Sequence, residues 1–213
     1  MAQTIPLHEA NDAVTGWRAL AAGLHITVAT KDFATALTLV DRVGAIAEEQ
    51  QHHPDLDLRW GRVHIATISH DAGGITDRDV RLATSVNEVL AEMGLEPQTT
   101  RVAEIEIAID ALDIAAVRPF WAAVFGYDQR GLNLVDPESV RPLLWFQQMD
   151  EPRPQRNRIH FDVWVAQEEA EPRIARAIEA GGRVVSDESA PRFWVLADPE
   201  GNEACICTSA ERG

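Results

Sequence analysis

The 213-residue sequence has little cysteine and no long apolar run. Its two cysteines, Cys205 and Cys207, are too few for a disulfide framework or a four-cysteine zinc site. No apolar stretch reaches the roughly 18 residues that a membrane helix requires. The first residues lack the basic-then-apolar pattern of a secretory signal. We therefore expect reduced thiols and a cytoplasmic protein without a membrane partner.

Basic residues are also scarce. The chain has 19 Lys and Arg against 34 Asp and Glu, a formal net charge of −15. Both halves are acidic, because residues 1–98 carry 7 basic and 14 acidic side chains and residues 99–213 carry 12 and 20. Nucleic-acid binding depends on cationic side chains that neutralise phosphates, so we expect no nucleic-acid partner. The length fits two domains of about 100 residues each.

The first half has the periodic patterns of a compact α+β unit. Helices are predicted at residues 8–14, 32–51 and 76–93. Short strands are predicted at residues 17–21, 24–30, 56–60 and 62–70. The resulting order is αββαββα, with the last two strands forming a hairpin about Gly61. The polar, proline-containing segment 96–100 separates a domain at 1–97 from one at 102–209.

Four of the seven histidines lie between positions 52 and 70. His52 and His53 precede Pro54, which ends the second helix because a residue before proline resists helical geometry. His70 stands at the end of the fourth predicted strand. The ordinary pKa of histidine lies near neutrality, so such a cluster suits proton transfer. A metal site and the absence of any site remain alternatives, although adjacent histidines have poor geometry for one ion.

Residues 48–83 resemble the signature of the pterin-4a-carbinolamine dehydratases, and the resemblance covers about residues 4–95. The matching residues are Glu48, His52, His53, Pro54, Trp60, Val63, Ser69, His70, Gly74, Ile75, Thr76 and Asp79. The sequence departs from the family at Leu56, where members often carry an aromatic residue. It departs again at Trp60, in a place often held by tyrosine.

This resemblance implies a lyase that dehydrates 4a-hydroxytetrahydrobiopterin to quinonoid dihydropterin in tetrahydropterin recycling. The reaction needs an acid for the 4a-hydroxyl and a base for the proton on ring nitrogen N5. The resemblance implies three catalytic residues, without deciding which is acid and which is base: His52, His53 and His70. The residues implied to contact the pterin are Glu48, Pro54, Trp60, Ser69 and Asp79. No cofactor is expected, and a small domain of this kind favours a homodimer or larger homo-oligomer.

Two of these carboxylates also have a structural interpretation. Glu48 lies one helical turn before His52 and could hold an imidazolium, or it could be an exposed helix charge. Asp79 follows Thr76 by three residues, which is the pattern of a capping box at a helix start. The alternative for Asp79 is a place in the pterin site.

The second half contains a weak repeat in which a strand is followed by a helix. Strands are predicted at residues 104–110 and 158–165, and helices at 114–125 and 168–180. The repeat, together with Phe120-Trp121, the segment 158–162 and the segment 198–202, resembles the glyoxalase and bleomycin-resistance superfamily. That resemblance implies two βαβββ modules whose sheets curl into a cup, so the whole chain is expected to be α+β.

Metal-using members of this superfamily place ligands on the first and last strands of each module. The corresponding pocket positions are Glu106, Gln147, His160 and Cys205. A cysteine where a carboxylate is expected disfavours magnesium or manganese, so we expect no metal, although a divalent ion, a metal-free pocket and a structural role stay open. Because alternate isoleucines from Ile105 onward should pack on the helices, Glu106 and His160 should turn toward the cup.

Two further interpretations of the whole chain remain open at this stage. The dehydratase-like domain could be a dimerisation or regulatory module without catalysis. Alternatively, the glyoxalase-like domain could be the main enzyme, acting on a different small molecule. The intact set of three histidines favours the dehydratase.

Overall fold

The computed structural model describes residues 3–99, 102–152, 160–208 and 210. Backbone contacts divide the chain into two units, Met1–Glu104 and Ile105–Gly213, and each has its own hydrophobic core. Within the described ranges, none of the helices combines the length and apolar character needed to cross a membrane.

The first unit has the predicted order αββαββα. Its elements are α1 (Leu7–Ala13), β1 (Arg18–Leu20), β2 (Gly23–Ala29), α2 (Phe33–Gln50), β3 (Asp55–Arg59), β4 (Arg62–Thr67) and α3 (Asp77–Met93). The strands form an antiparallel sheet in the order β1-β2-β4-β3. The prediction of β4 was too long, because the strand ends at Thr67. Beyond it, the amide of Gly73 donates to the carbonyl of Ser69, so His70 lies in a turn.

One face of this sheet forms the core with α2 and α3. Leu24, Ile26, Val63 and Ile65 alternate along β2 and β4 and are fully buried. Burying a side chain of this size contributes roughly 1.5–3 kcal/mol. Thr67 continues the same alternation and is also buried, so it brings a hydroxyl group to the end of an otherwise apolar face.

The ends of α2 and α3 are fixed by local interactions. Asp32 accepts a hydrogen bond from the Thr35 amide at the start of α2 and thereby caps this helix. The helix ends at Gln50, and the capping residue Gln51 has a φ of 50°, which is uncommon for a residue other than glycine. This turn directs His52 back toward the core, where its amide donates to the carbonyl of Ala47.

The second unit consists of two βαβββ modules, as the sequence predicts. The first module contains β5 (Glu106–Ala111), α4 (Ile114–Phe125), β6 (Asp128–Arg130), β7 (Asn133–Val135) and β8 (Leu143–Gln148). The second contains β9 (Phe161–Trp164), α5 (Gln167–Glu179), β10 (Arg183–Ser186), β11 (Phe193–Ala197) and β12 (Glu203–Cys207). The sheet orders are β5-β8-β7-β6 and β10-β11-β12-β9, with the first and last strands of each module parallel.

Both modules contribute to one core. The indole of Trp121 in α4 donates to the buried carboxylate of Asp198 at 3.0 Å and meets the ring of Phe161 edge-on. The prediction that Ile105 packs against the helices was wrong, because β5 begins at Glu106 and Ile105 is 69% exposed. Residues 158 and 159 of the predicted second-module strand lie outside the described residues.

Candidate functional site

The carboxylate of Asp79 lies at the centre of the candidate site in the first unit and is fully buried. Its Oδ1 atom is 2.7 Å from Nε2 of His52 and accepts a hydrogen bond of 2.8 Å from the Thr67 hydroxyl. Its Oδ2 atom accepts bonds from the Ser69 hydroxyl at 2.7 Å and the Thr76 amide at 2.8 Å. One side chain therefore connects the end of α2, the end of β4 and the start of α3.

Asp79 has the capping role that the sequence predicted as one alternative, and it also contacts one of the predicted catalytic histidines. It completes a capping box with Thr76 at the start of α3, and it also contacts His52. Burial by itself would raise the pKa of Asp79, but hydrogen bonds from His52, Thr76, Ser69 and Thr67 hold that pKa below its ordinary value. The carboxylate is therefore ionised at neutral pH. As an acceptor only, it favours the His52 tautomer with its proton on Nε2.

His53 and His70 are exposed, in contrast to His52. The Nε2 atom of His53 lies 3.1 Å from Oε1 of Glu48, and the two side chains are 57% and 74% exposed. The predicted partner of Glu48 was His52, but the turn at Gln51 presents His53 to Glu48 instead. His70 directly follows Ser69 in the chain, just as His53 follows His52.

The two remaining predicted pterin contacts lie at different ends of β3. Pro54 is half-buried and directly precedes this strand. Trp60 is 79% exposed in the turn at its far end, beside Gly61. Five extended residues span about 17 Å. Within one chain, the structure therefore brings Pro54 close to the histidine pair and does not bring Trp60 there.

Sequence reasoning missed Thr67, although the sequence does carry a signal for it. A hydroxyl residue in register with buried Val63 and Ile65 must find a polar partner inside the core. Its hydroxyl oxygen is 3.1 Å from Nε2 of His52 as well as 2.8 Å from Asp79.

A second pair of histidines lies on the other face of the sheet. Nδ1 of His25 is 3.3 Å from Nε2 of His64, whose Nδ1 is 2.9 Å from the Thr27 hydroxyl. Burial, together with the neighbouring His64, lowers the pKa of His25 to about 4. His64 therefore belongs to this pair, and not to the site around Asp79.

In the second unit, the structure brings together two of the four predicted pocket residues, His160 and Cys205. Cys205 in β12 is the register partner of Asp162 in β9, and His160 directly precedes β9. One possible ligand atom from each of these three residues lies within 4.8 Å of the others. Glu106 and Gln147 are exposed on β5 and β8 of the first module, and Glu106 is not part of this group. Burial and a hydrogen bond to Asp162 raise the pKa of the Cys205 thiol to about 12.

Comparisons with known proteins agree with the architecture of both units. Residues 3–89 match the family model of pterin 4 alpha carbinolamine dehydratase, and residues 106–207 match that of a glyoxalase-like domain. A protein of Acidobacterium capsulatum is 39% identical over 92 residues, which cover 42% of this chain and 100% of the relative. A protein of Mycolicibacterium smegmatis is 42% identical over 77 residues, which cover 36% of this chain and 82% of the relative. Both carry the provisional name pterin-4-alpha-carbinolamine dehydratase.

The first unit is thus an α+β domain of the dehydratase class. The chain belongs to the pterin-4a-carbinolamine dehydratase family, and its second unit carries a glyoxalase-like domain. A solved structure similar to this second unit is a glyoxalase/bleomycin resistance protein/dioxygenase family enzyme from Burkholderia phytofirmans PsJN. It is 20% identical, with a TM-score of 0.40, and covers 50% of this chain and 98% of its own.

Proposed function

We propose that the first unit dehydrates 4a-hydroxytetrahydropterin to quinonoid dihydropterin by acid–base catalysis. The observation that supports this is the position of the Asp79 carboxylate, which bonds to both His52 and Ser69. The next residue after each of these is an exposed histidine, His53 or His70. A flat pterin ring bound at this end of the sheet would therefore meet two imidazoles together.

The three histidines divide into two roles in this proposal. His53 and His70 act on the substrate, because both are open to solvent. His52 is a positioning residue, because its Nε2 is bonded to Asp79 and its side chain is only 8% exposed. It fixes the backbone from which His53 projects.

The reaction transfers one proton at each of two positions on the pterin, the 4a-hydroxyl group and ring nitrogen N5. One imidazole, entering as the imidazolium, gives a proton to the departing 4a-hydroxyl, which leaves as water. The other imidazole, entering neutral, removes the proton from N5 as the quinonoid double bond forms. The chemistry requires no electron acceptor, so the chain's own side chains are sufficient. We propose tetrahydrobiopterin as the parent pterin, with no cofactor.

The decisive experiment is a direct dehydration assay with enzymatically generated 4a-hydroxytetrahydropterin. We expect the purified chain to accelerate dehydration, and His53→Ala and His70→Ala each to lower the rate by about 10²–10⁴-fold. His8→Ala is a matched control, because His8 is an 81% exposed histidine outside the site. A chelator should leave the rate unchanged. A wild-type rate equal to that of buffer would refute the enzyme assignment, and unchanged rates in both site variants would refute the site.

We also propose that the protein forms a homodimer or larger homo-oligomer. Phe33 and Leu37 are one turn apart on α2, and their side chains are 49% and 47% exposed. Exposed apolar side chains at this spacing form a stripe that self-association would cover. Light scattering on the purified chain would contradict this proposal if it gave the mass of a monomer at micromolar concentration.

A further inference from the structure

The hydroxyl group of Thr67 lies on the apolar core face of the sheet in the first unit. This residue ends β4, continues the buried alternation of Val63 and Ile65, and is itself only 1% exposed. A valine would have nearly the same shape and would need no hydrogen-bond partner there, whereas a buried hydroxyl without a partner costs free energy. The hydroxyl group therefore points to a task other than packing.

The Thr67 hydroxyl is part of a triangle of three polar atoms. Its oxygen lies 2.8 Å from Oδ1 of Asp79 and 3.1 Å from Nε2 of His52. The third side of the triangle is the 2.7 Å contact between His52 and Asp79. The three residues come from the end of β4, the first turn of α3 and the segment after α2, so each corner belongs to a different part of the fold.

The chemistry of these groups fixes the position of each proton. The ionised carboxylate of Asp79 can only accept, so the single proton of the Thr67 hydroxyl is donated to Oδ1. The lone pairs of the Thr67 oxygen then remain to accept from the proton on Nε2 of His52. An Nε2 atom without a proton would direct its lone pair at two oxygen atoms that offer it no donor. The Nε2 proton of His52 therefore lies between two oxygen acceptors.

Two acceptors determine the direction of the His52 ring better than one acceptor does. The torsion that turns an imidazole about its Cβ–Cγ bond has broad energy minima, so a single hydrogen bond leaves the ring some freedom. A half-turn about this bond would place a ring carbon where Nε2 now lies, and both oxygens would lose a donor. Thr67 and Asp79 thus hold the ring from two sides, and the backbone of His52 continues directly into His53.

We propose that Thr67 is a positioning residue for dehydration, because its hydroxyl group fixes the His52 imidazole against Asp79 and thereby keeps the following histidine in place. The effect on rate rests on the proposed function, since His53 acts on a pterin only if the first unit is a dehydratase. A displacement of about 1 Å at a reacting group can lower a rate by about 10²-fold. Thr67 itself touches no substrate in this assignment, so loss of its hydroxyl should slow the reaction and leave pterin binding nearly unchanged.

The first test compares Thr67→Val with Thr67→Ser in the dehydration assay on the full-length chain. Thr67→Val removes the hydroxyl and keeps the branched shape, so we expect kcat to fall about 10-fold or more and KM to change less than about 3-fold. Thr67→Ser keeps the hydroxyl and should retain kcat within about 3-fold of the wild-type value. Thr27→Val is the matched control, because Thr27 is a buried threonine of β2 whose hydroxyl contacts His64 on the other face of the sheet. This control should keep the wild-type rate.

The second test is independent of activity and measures the proton NMR resonance of the N–H group at Nε2 of His52, which responds to the acceptors around it. This resonance should shift in Thr67→Val and keep its wild-type position in Thr67→Ser and Thr27→Val. Circular dichroism must show that each variant is folded. If Thr67→Val does not fold, Thr67→Ala takes its place, since it also removes the hydroxyl group.

An unchanged His52 resonance in Thr67→Val, or a wild-type kcat in that variant, would overturn the positioning role of Thr67. A Thr67→Ser variant as slow as Thr67→Val, or an equal loss of rate in Thr27→Val, would do the same. A wild-type chain without dehydration activity would instead refute the proposed function and the effect on rate. The NMR comparison would then still decide whether Thr67 fixes the His52 ring.

Discussion

The Nε2 atom of His52 lies 2.7 Å from Oδ1 of Asp79, and both side chains are buried although 27 residues separate them in the chain. A buried carboxylate is stable only when its oxygens are bonded, and here hydroxyl, amide and imidazole groups share that task. Asp79, in the first turn of α3, thus caps this helix and also holds the histidine segment in place.

Asp79→Asn should therefore lower both stability and activity. The asparagine side chain keeps the shape of aspartate, but its NH₂ group now faces other hydrogen-bond donors. The negative charge of the aspartate is also lost. Breaking one partner of a buried pair costs about 3–5 kcal/mol, which urea unfolding would measure. Dehydration by the folded variant should also be slower, because His52 loses its orientation. Asp77→Asn changes an exposed carboxylate in the same helical turn and should cost less than about 1 kcal/mol. Equal losses in the two variants would contradict the central role of Asp79.

The stability of the first unit should fall as the pH is lowered from about 6.5 to about 4. The pKa of His25 is lowered to about 4 in the folded chain, so only the unfolded chain takes up this proton in that window. Unfolding free energy therefore rises with pH there, by up to about 3 kcal/mol in total. Urea unfolding at several pH values measures this slope.

His25→Gln should flatten the slope because glutamine does not titrate. A smaller slope should remain from His64, whose pKa burial also lowers. His8→Ala, which removes an exposed histidine, should leave the slope unchanged. The interpretation fails if the wild-type chain shows no pH dependence in this window, or if His25→Gln keeps the full slope.

Asp198→Ala should destabilise the second unit and leave the first intact. Asp198 is fully buried and accepts bonds from the Trp121 indole at 3.0 Å, the Glu200 amide at 3.0 Å, and the amide and side chain of Asn202 at 2.8 Å each. Each buried donor left without a partner costs about 1–3 kcal/mol, so a loss of at least about 3 kcal/mol is expected. Tryptophan fluorescence during urea unfolding would measure this loss of stability. Exposed Asp187→Ala is the control, and a loss of dehydration activity in folded Asp198→Ala would argue that the units depend on each other.

A fragment of residues 1–104 should retain dehydration activity. Every residue of the proposed pterin site lies before this end, and the unit has its own core. The fragment should end after Glu104, because its carboxylate accepts a bond of 3.2 Å from the amide of Ala22. The activity of the fragment is compared with that of the full chain at equal concentration, because a small domain is close to the limit of independent stability. A folded but inactive fragment would show that the second unit completes the site.

Features that depend on neighbouring residues were predictable from the sequence. The caps at Asp32 and Thr76, and the end of α4 at Gly126, each involve residues within about four positions. The order of elements in the first unit follows from the same local patterns, whereas in the second unit these patterns predicted the two strand–helix pairs and the family resemblance implied the remaining strands. These interactions are short in sequence, so periodicity and residue type are enough to find them.

Contacts between distant residues were not predictable in the same way. The bond between His52 and Asp79 requires the ends of α2 and β4 to meet the start of α3. The approach of Asp162 to Cys205 depends on the register of two parallel strands that are far apart in sequence. Trp60 shows the converse difficulty, because the family signature groups it with the histidines although the hairpin places it at the turn beside Gly61, at the far end of β3 from Pro54.

The contact of Trp121 with Asp198 and Phe161 has a consequence for the origin of the second unit. A single βαβββ module would leave this indole and its neighbour Phe120 in water, although both are buried in the present chain. An ancestral half-length polypeptide would therefore have had to pair with a copy of itself. Gene duplication and fusion would then have converted an interface between two molecules into the interior of one.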